Sequence, residues 1–211
     1  MSEKNENVRL ELFCDAVFAI ALTLLILEIK IPPASSNHTV KEFWHKIAEG
    51  WPSWFGFLLS FCIIFINWFN HHRVFALIDK SSPQFIYANG FLLFTIIILP
   101  FATGVMAEYL QEENSQPAIS LYCLGVLLNN IGWNVLSWTA GHPHSLAKNS
   151  TTIKEIRIGT KSARYGFFIS LSIFILSFWF PIAALILISI VWTGWSIVPI
   201  TLSSHKQDIS L

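Results

Sequence analysis

The hydrophobic and polar positions of this chain alternate on a long scale: apolar runs of about 20 residues are separated by short polar stretches. A hydrocarbon layer of about 30 Å requires about 20 residues of helix to cross it. Runs of that length fall at 9–31, 50–72, 84–107, 117–139, 161–180 and 182–202, six candidate spans in all. The last two are divided by Pro181, which follows Phe178, Trp179 and Phe180, and a proline there favours a break over one continuous helix. Between the first and second runs, Pro and Ser punctuation gives way to Phe43, Trp44 and Ile47 at helical spacing, which predicts a short interfacial helix. The pattern therefore predicts an all-α, polytopic membrane protein with six transmembrane helices, residues 1–211 forming a single domain.

Composition agrees with that class. Hydrophobic residues make up 54% of the chain and charged residues 12%, and the mean hydropathy is +0.56. The formal net charge of +0 excludes a general nucleic-acid binder, which needs a basic excess to neutralise phosphates. Cys14, Cys62 and Cys123 each lie in a different apolar run and read as small hydrophobes, with no disulfide or metal spacing. The polar N-terminus runs into the first span without a small-residue cleavage site, so a removed signal peptide is not expected. Orientation follows from lysine and arginine. Segment 141–166 holds Lys148, Lys154, Arg157, Lys161 and Arg164, whereas the stretch near 108–117 holds Glu108, Glu112 and Glu113. With Lys4 and Arg9 before the first span and Arg73 and Lys80 after the second, both termini are expected to be cytoplasmic; Lys41 and Lys46 are a mild exception. Trp44, Trp51, Trp54, Trp192 and Trp195, near predicted span ends, read as an interfacial aromatic belt.

The first run differs from the others because Arg9, Glu11 and Asp15 stand in its leading third. A carboxylate within a spanning helix costs about 2.5 to 3.5 kcal/mol on insertion scales, so it usually faces protein or water. At about 100° per residue, Ile20, Thr23, Leu24 and Leu27 share one stripe, with Phe13 and Arg9 on the same line. Asp15 lies about 140° from Ile20, with Ala19, Leu22 and Ile26. One face could line an axis while the other carries the charge into the chain's own bundle, although an apolar stripe is equally the ordinary surface of a membrane helix. The second run ends in Trp68, Asn70, His71, His72 and Arg73, and the third begins with Tyr87 and Asn89. These polar groups fall at the membrane level of Asp15 and offer it hydrogen-bond donors.

Other chemistries find little support. Adjacent histidines point to different helix faces, so neither a structural metal site nor a cofactor is expected. No phosphate cradle or nucleophile elbow occurs, and His142, His144 and Ser145 read as an ordinary polar loop. Neither enzymatic activity nor a small-molecule substrate is expected. The charged motif of the first run has no second copy, so a conduction path built on one special helix per chain would have to be completed by other chains.

Arg9-x-x-x-Phe13-Cys14-Asp15 followed by AVFAIALTLLILEI resembles the first-helix signature, Arg-x-x-x-Phe-Ser-Asp, of the transmembrane protein 175 potassium channel family, and of its bacterial members in particular. Trp68-x-x-His71-His72-Arg73-x-Phe75 looks like that family's second-helix ending. Asn89, Leu99-Pro100-Phe101-x-Thr103 and Glu108-Tyr109 are similar to its third-helix pattern. The resemblance implies a six-helix subunit in the bilayer of a bacterial cell membrane and a homotetramer with the first helices around a central ion path. It also implies a constriction at Ile20, Leu24 and Leu27, a Thr23 hydroxyl that sets cation preference, and permeant potassium ions near Ile20 and Thr23. Arg9, Phe13, Cys14, Asp15, Trp68, His71, His72 and Asn89 would form the network that holds the pore helix. Cys14 stands where the family has serine, and a thiol is the weaker hydrogen-bond donor.

No TVGYG-type loop offers carbonyls to replace a cation's hydration shell, so selectivity is expected from side chains or held water at the constriction. The alternative is a proton-conducting channel or secondary cation transporter that uses Asp15 and His71 or His72 as a relay. A transporter would usually show inverted repeats or paired broken helices, and neither is evident.

Overall fold

The computed structural model describes residues 3–30, 39–141 and 146–208, with side chains over 7–30, 39–141 and 146–195. The chain is all-helical: α1 Glu3–Leu24, α2 Val40–Glu49, α3 Trp51–Leu77, α4 Pro83–Tyr109, α5 Gln116–Gly141, α6 Ser150–Leu176 and α7 Pro181–Asp208. α1 runs on into a 3-10 turn over Leu25–Glu28. Among the described residues, four stretches are long and apolar enough to cross a membrane: Asn7–Glu28, Trp51–Leu77, Pro83–Tyr109 and Gln116–Gly141. They coincide with the first four predicted runs. α6 begins well before the fifth predicted run, and its first fifteen residues include Lys154, Glu155, Arg157, Lys161 and Arg164, which dilute its hydropathy. The apolar part of α7 over its described side chains, Pro181–Trp195, is shorter.

Local chemistry sets the helix boundaries. Thr39 and Glu42 form a reciprocal capping box at the start of α2, and Asn149 and Thr152 do the same for α6. Ser82 caps α4 just before Pro83, whose missing N–H costs nothing in a first turn. The break between α6 and α7 falls at Ser177–Phe180, and Pro181 opens the new helix rather than interrupting an old one. The predicted interfacial helix is α2, with Phe43 and Trp44 exposed.

Packing centres on α4. α1 lies against α3 and α4, α5 packs along α4, α6 along α5, and α7 against α5, α6 and α3. Gly132 permits the close approach of α5, because a Cβ there would stand 3.2 Å from the Leu92 Cα. Phe18, Leu25, Ile63, Phe85, Leu92, Ile96 and Leu99 fill the centre. Several polar groups inside the bundle are paired across helices, as a bilayer without water favours. Ser60 meets Thr103 Oγ1 at 2.6 Å and the Tyr122 hydroxyl at 3.0 Å, Asn129 Nδ2 donates to Thr95 Oγ1 at 3.1 Å, and the Trp133 indole donates to Asn67. At one end the α3–α4 and α5–α6 connections are joined by the Ile78–Ala147 bridge, while Lys148 Nζ donates to the Ala76 carbonyl at 2.7 Å.

The tryptophan belt needs one correction. Trp44, Trp51 and Trp54 are exposed, but Trp192 is buried in the bundle, its ring centroid 6.3 Å from that of Trp195. α7 turns Trp192 inward onto α5 and α6, so it fills space between helices instead of reaching headgroups. His142, His144 and Ser145 lie outside the described residues.

Candidate functional site

α1 presents two unlike faces. Cys14, Phe18, Ala21 and Leu25 are 0, 0, 1 and 0% exposed, whereas Ile20, Leu24 and Leu27 are 58, 41 and 72% exposed. Thr23, Phe13 and Arg9 are exposed on the open stripe with them. The inward face is therefore not the one expected: Ala19 and Ile26, which share the Asp15 side, are exposed, and Asp15 sits half-buried at the flank. Every candidate inward position except Asp15 is apolar or small, so periodicity alone did not distinguish the two flanks. The Thr23 hydroxyl donates to the Ile20 carbonyl at 2.8 Å, which commits its proton and leaves the oxygen as an acceptor.

Two hydrogen-bond systems hold the inward and flanking sides. In the first, Trp68 Nε1 donates to Asp15 Oδ1 at 2.9 Å, and one turn away His72 Nδ1 meets Glu11 Oε1 at 3.0 Å. Glu11 and Asp15 are four residues apart on α1, Trp68 and His72 four apart on α3, and the helices run antiparallel, so the two pairs register together. The Trp68 and His72 rings stack at 6.4 Å. In the second system, Asn89 Nδ2 donates to Cys14 Sγ at 2.9 Å and Asn89 Oδ1 lies 2.8 Å from His71 Nε2. Since Asn89 Oδ1 can only accept, His71 carries its proton on Nε2; its Nδ1 has no hydrogen-bond partner among the described residues. The fully buried His71 ring packs between Phe18, at 5.3 Å, and Phe75, at 4.7 Å.

The structure thus brings together Cys14 with Asn89 and His71, and Asp15 with Trp68. His72 pairs with Glu11, not with Asp15. Arg9 and Phe13 stand apart from both systems, on the open stripe. Glu11 was missed as a partner, although the matching four-residue spacing of carboxylates on one helix and donors on the next was a usable signal. At the far end of α1, Lys30 Nζ lies 2.7 Å from Glu108 Oε2, and the Glu28 carboxylate occupies the space that a side chain at Gly104 would fill. Nothing in the sequence spacing pointed to that contact. Among the described residues no group of three or more His, Cys, Asp or Glu could hold a metal ion.

The family model described as endosomal/lysosomal potassium channel TMEM175 matches residues 9–100, which take in α1 from Arg9 onward and both hydrogen-bond systems. A potassium channel of Chamaesiphon minutus is 39% identical over 176 residues, which is 83% of this chain and 86% of that one. The chain belongs to the TMEM175 family. A crystal structure described as that of a lysosomal potassium-selective channel TMEM175 homolog from Chamaesiphon minutus superposes with a TM-score of 0.80 at 34% identity, covering 92% of this chain and 97% of that one. The TMEM175 chain is also 29% identical over 150 residues to a Gallus gallus protein named an endosomal/lysosomal proton channel, of which it spans 30%.

Proposed function

We propose that this TMEM175-family chain is a potassium-selective cation channel of a bacterial cell membrane, built as a homotetramer with the four α1 helices around one ion path. The observation that carries this reading is the open stripe of α1: Ile20, Leu24 and Leu27 project away from the chain's own bundle while the opposite face is sealed within it. In a subunit of six spans, the trailing half of α6 and the apolar part of α7 supply the fifth and sixth, and both termini lie in the cytoplasm. Rings of Ile20, Leu24 and Leu27 make a constriction that excludes hydrated ions by dewetting when the helices draw together. Thr23 adds one hydroxyl per subunit beside Ile20. With its proton committed to the Ile20 carbonyl, that oxygen offers lone pairs to a passing potassium ion. No cofactor, nucleic acid or small-molecule substrate enters this mechanism, and the network of Asp15, Trp68, Cys14, Asn89 and His71 serves to fix the angle of α1.

Purified chain in liposomes with an outward potassium gradient tests the reading. Potassium efflux that exceeds sodium flux supports it; vesicles that stay tight to potassium overturn it. A second reading, proton conduction past Asp15 and His71 or His72, is favoured by the Nδ1 of buried His71, which has no partner among the described residues, and by the name of the Gallus gallus relative. Vesicles that pass protons in the absence of permeant cations would favour it over the first.

A further inference from the structure

Lys154, Arg157, Lys161 and Arg164 recur along α6 at spacings of three, four and three, which places them within an arc of about 80° on one side of the helix. All four are exposed, and none of their side chains makes a hydrogen bond or ion pair among the described residues. Glu155, the acid of that helix, lies about 140° round from the centre of the arc. The opposite side, with Ile156, Gly166, Ser170 and Ile173, is buried in the bundle. Beyond Arg164 the same exposed side changes to Tyr165 and Phe168. One face of α6 therefore passes from cationic to apolar over a few residues, the profile of a surface that meets lipid headgroups and then acyl chains. The four cations span about 15 Å along the axis, enough to cross a headgroup layer and enter the water within a Debye length of it. A bias of positive charge toward one side of the membrane asks only that cations lie in the loop, not that they align.

We infer that this stripe is a docking surface for anionic phospholipid headgroups of the leaflet at which α6 enters the membrane. The inference rests on the reading of the trailing half of α6 as a span. Phosphate oxygens complement the unpaired cations, and Tyr165 and Phe168 seat the upper acyl chain.

Native mass spectrometry of the purified full chain, offered phosphatidylglycerol or phosphatidylcholine, tests it. The wild type should retain phosphatidylglycerol in preference, and Lys154→Gln, Arg157→Gln, Lys161→Gln and Arg164→Gln combined should lower that retention at least tenfold, on the order of fivefold being expected for each cation removed. Lys41→Gln with Lys80→Gln should leave it unchanged, and Lys154→Arg with Lys161→Arg should preserve it. Equal retention of the two lipids by the wild type would overturn the inference. So would a quadruple variant that keeps its phosphatidylglycerol, including one whose assembly mass shifts because the stripe meets another subunit. Should the quadruple variant fail to fold, the wild type is compared at low salt and at 1 M salt, where the Debye length falls to about 3 Å. Loss of its lipid preference at high salt supports the inference, and a preference that persists overturns it. A spin label on Phe168→Cys reports separately on the span: a label in water overturns the membrane placement of α6. A chain that keeps the lipid but passes no potassium overturns the channel reading alone.

Discussion

Trp68 donates its indole N–H to the Asp15 carboxylate at 2.9 Å, across the interface between α1 and α3. This single bond satisfies the acidic group that makes the leading span costly to insert, and it joins the flank of α1 to a neighbour rather than to the core. Trp68→Phe retains the ring and deletes the donor. It should destabilise the chain by about 1–3 kcal/mol, the cost of an unmet polar group, read as a lowered Tm in detergent. An unchanged Tm would mean that water or another donor replaces the indole.

Asn89 serves two partners, Cys14 and His71, and its loss leaves both unmet. Asn89→Leu is expected to cost more than Cys14→Ala or His71→Phe alone. A double-mutant cycle between Asn89 and His71 should return a coupling of about 0.6 kcal/mol, the average for hydrogen bonds between membrane helices, and no more than about 1.7 kcal/mol. Cys14→Ser should be neutral or stabilising, because a hydroxyl oxygen accepts better than a thiol sulfur. A loss of more than about 1 kcal/mol in that variant would show that the site requires the size of sulfur.

A methyl group at Gly104 would run into the Glu28 carboxylate. Gly104→Ala must displace Glu28, but the colliding atoms are the far end of a flexible side chain, so the expected loss is about 1 kcal/mol or less. Glu28→Ala in the same chain should restore most of the loss by vacating the space. The exposed Lys30–Glu108 pair beside it is worth about 0–1 kcal/mol, so Lys30→Ala alone should change Tm little. If the double variant is no better than Gly104→Ala, backbone strain in α4 rather than the collision is responsible.

Two substitutions on the open stripe probe conduction directly. Ile20→Asn should wet the proposed constriction and raise potassium leak in vesicles, and unchanged flux would place the narrowest ring elsewhere. Thr23→Ala removes the oxygen without shortening the helix. It should bring the potassium-to-sodium permeability ratio nearer to one in planar-bilayer recordings, and a ratio equal to the wild type's would exclude that hydroxyl from selectivity.

Hydropathy located the first four spans because each holds an unbroken apolar stretch long enough to cross a bilayer. It could not find the start of α6, before residue 161, where Lys154 and Arg157 sit on a helix held by an Asn149 cap and by packing of Ile156. Nor could it choose which side of α1 turns inward, since Phe18, Ala21, Ile20 and Leu24 look alike to a hydropathy scale. His71 and His72 show the same limit at one-residue scale: the first is fully buried and the second exposed, a difference decided by the 100° between neighbours on α3. Helix register does bring Trp68, His71 and Asn89 against α1, whereas Arg9 and Phe13 stand apart from them and Glu11 was not foreseen.

The 3-10 turn that ends α1 has a mechanical corollary. In that tighter winding, residues three apart eclipse one another, so Leu27 stands almost directly over Leu24. Rewinding the same three steps to α geometry would swing Leu27 sideways by about 60° and shorten the segment by about 1.5 Å, with the lower helix left in place. The direction of Leu27 is thus set by the winding of one short segment, with Glu28 and Lys30 meeting α4 just beyond it.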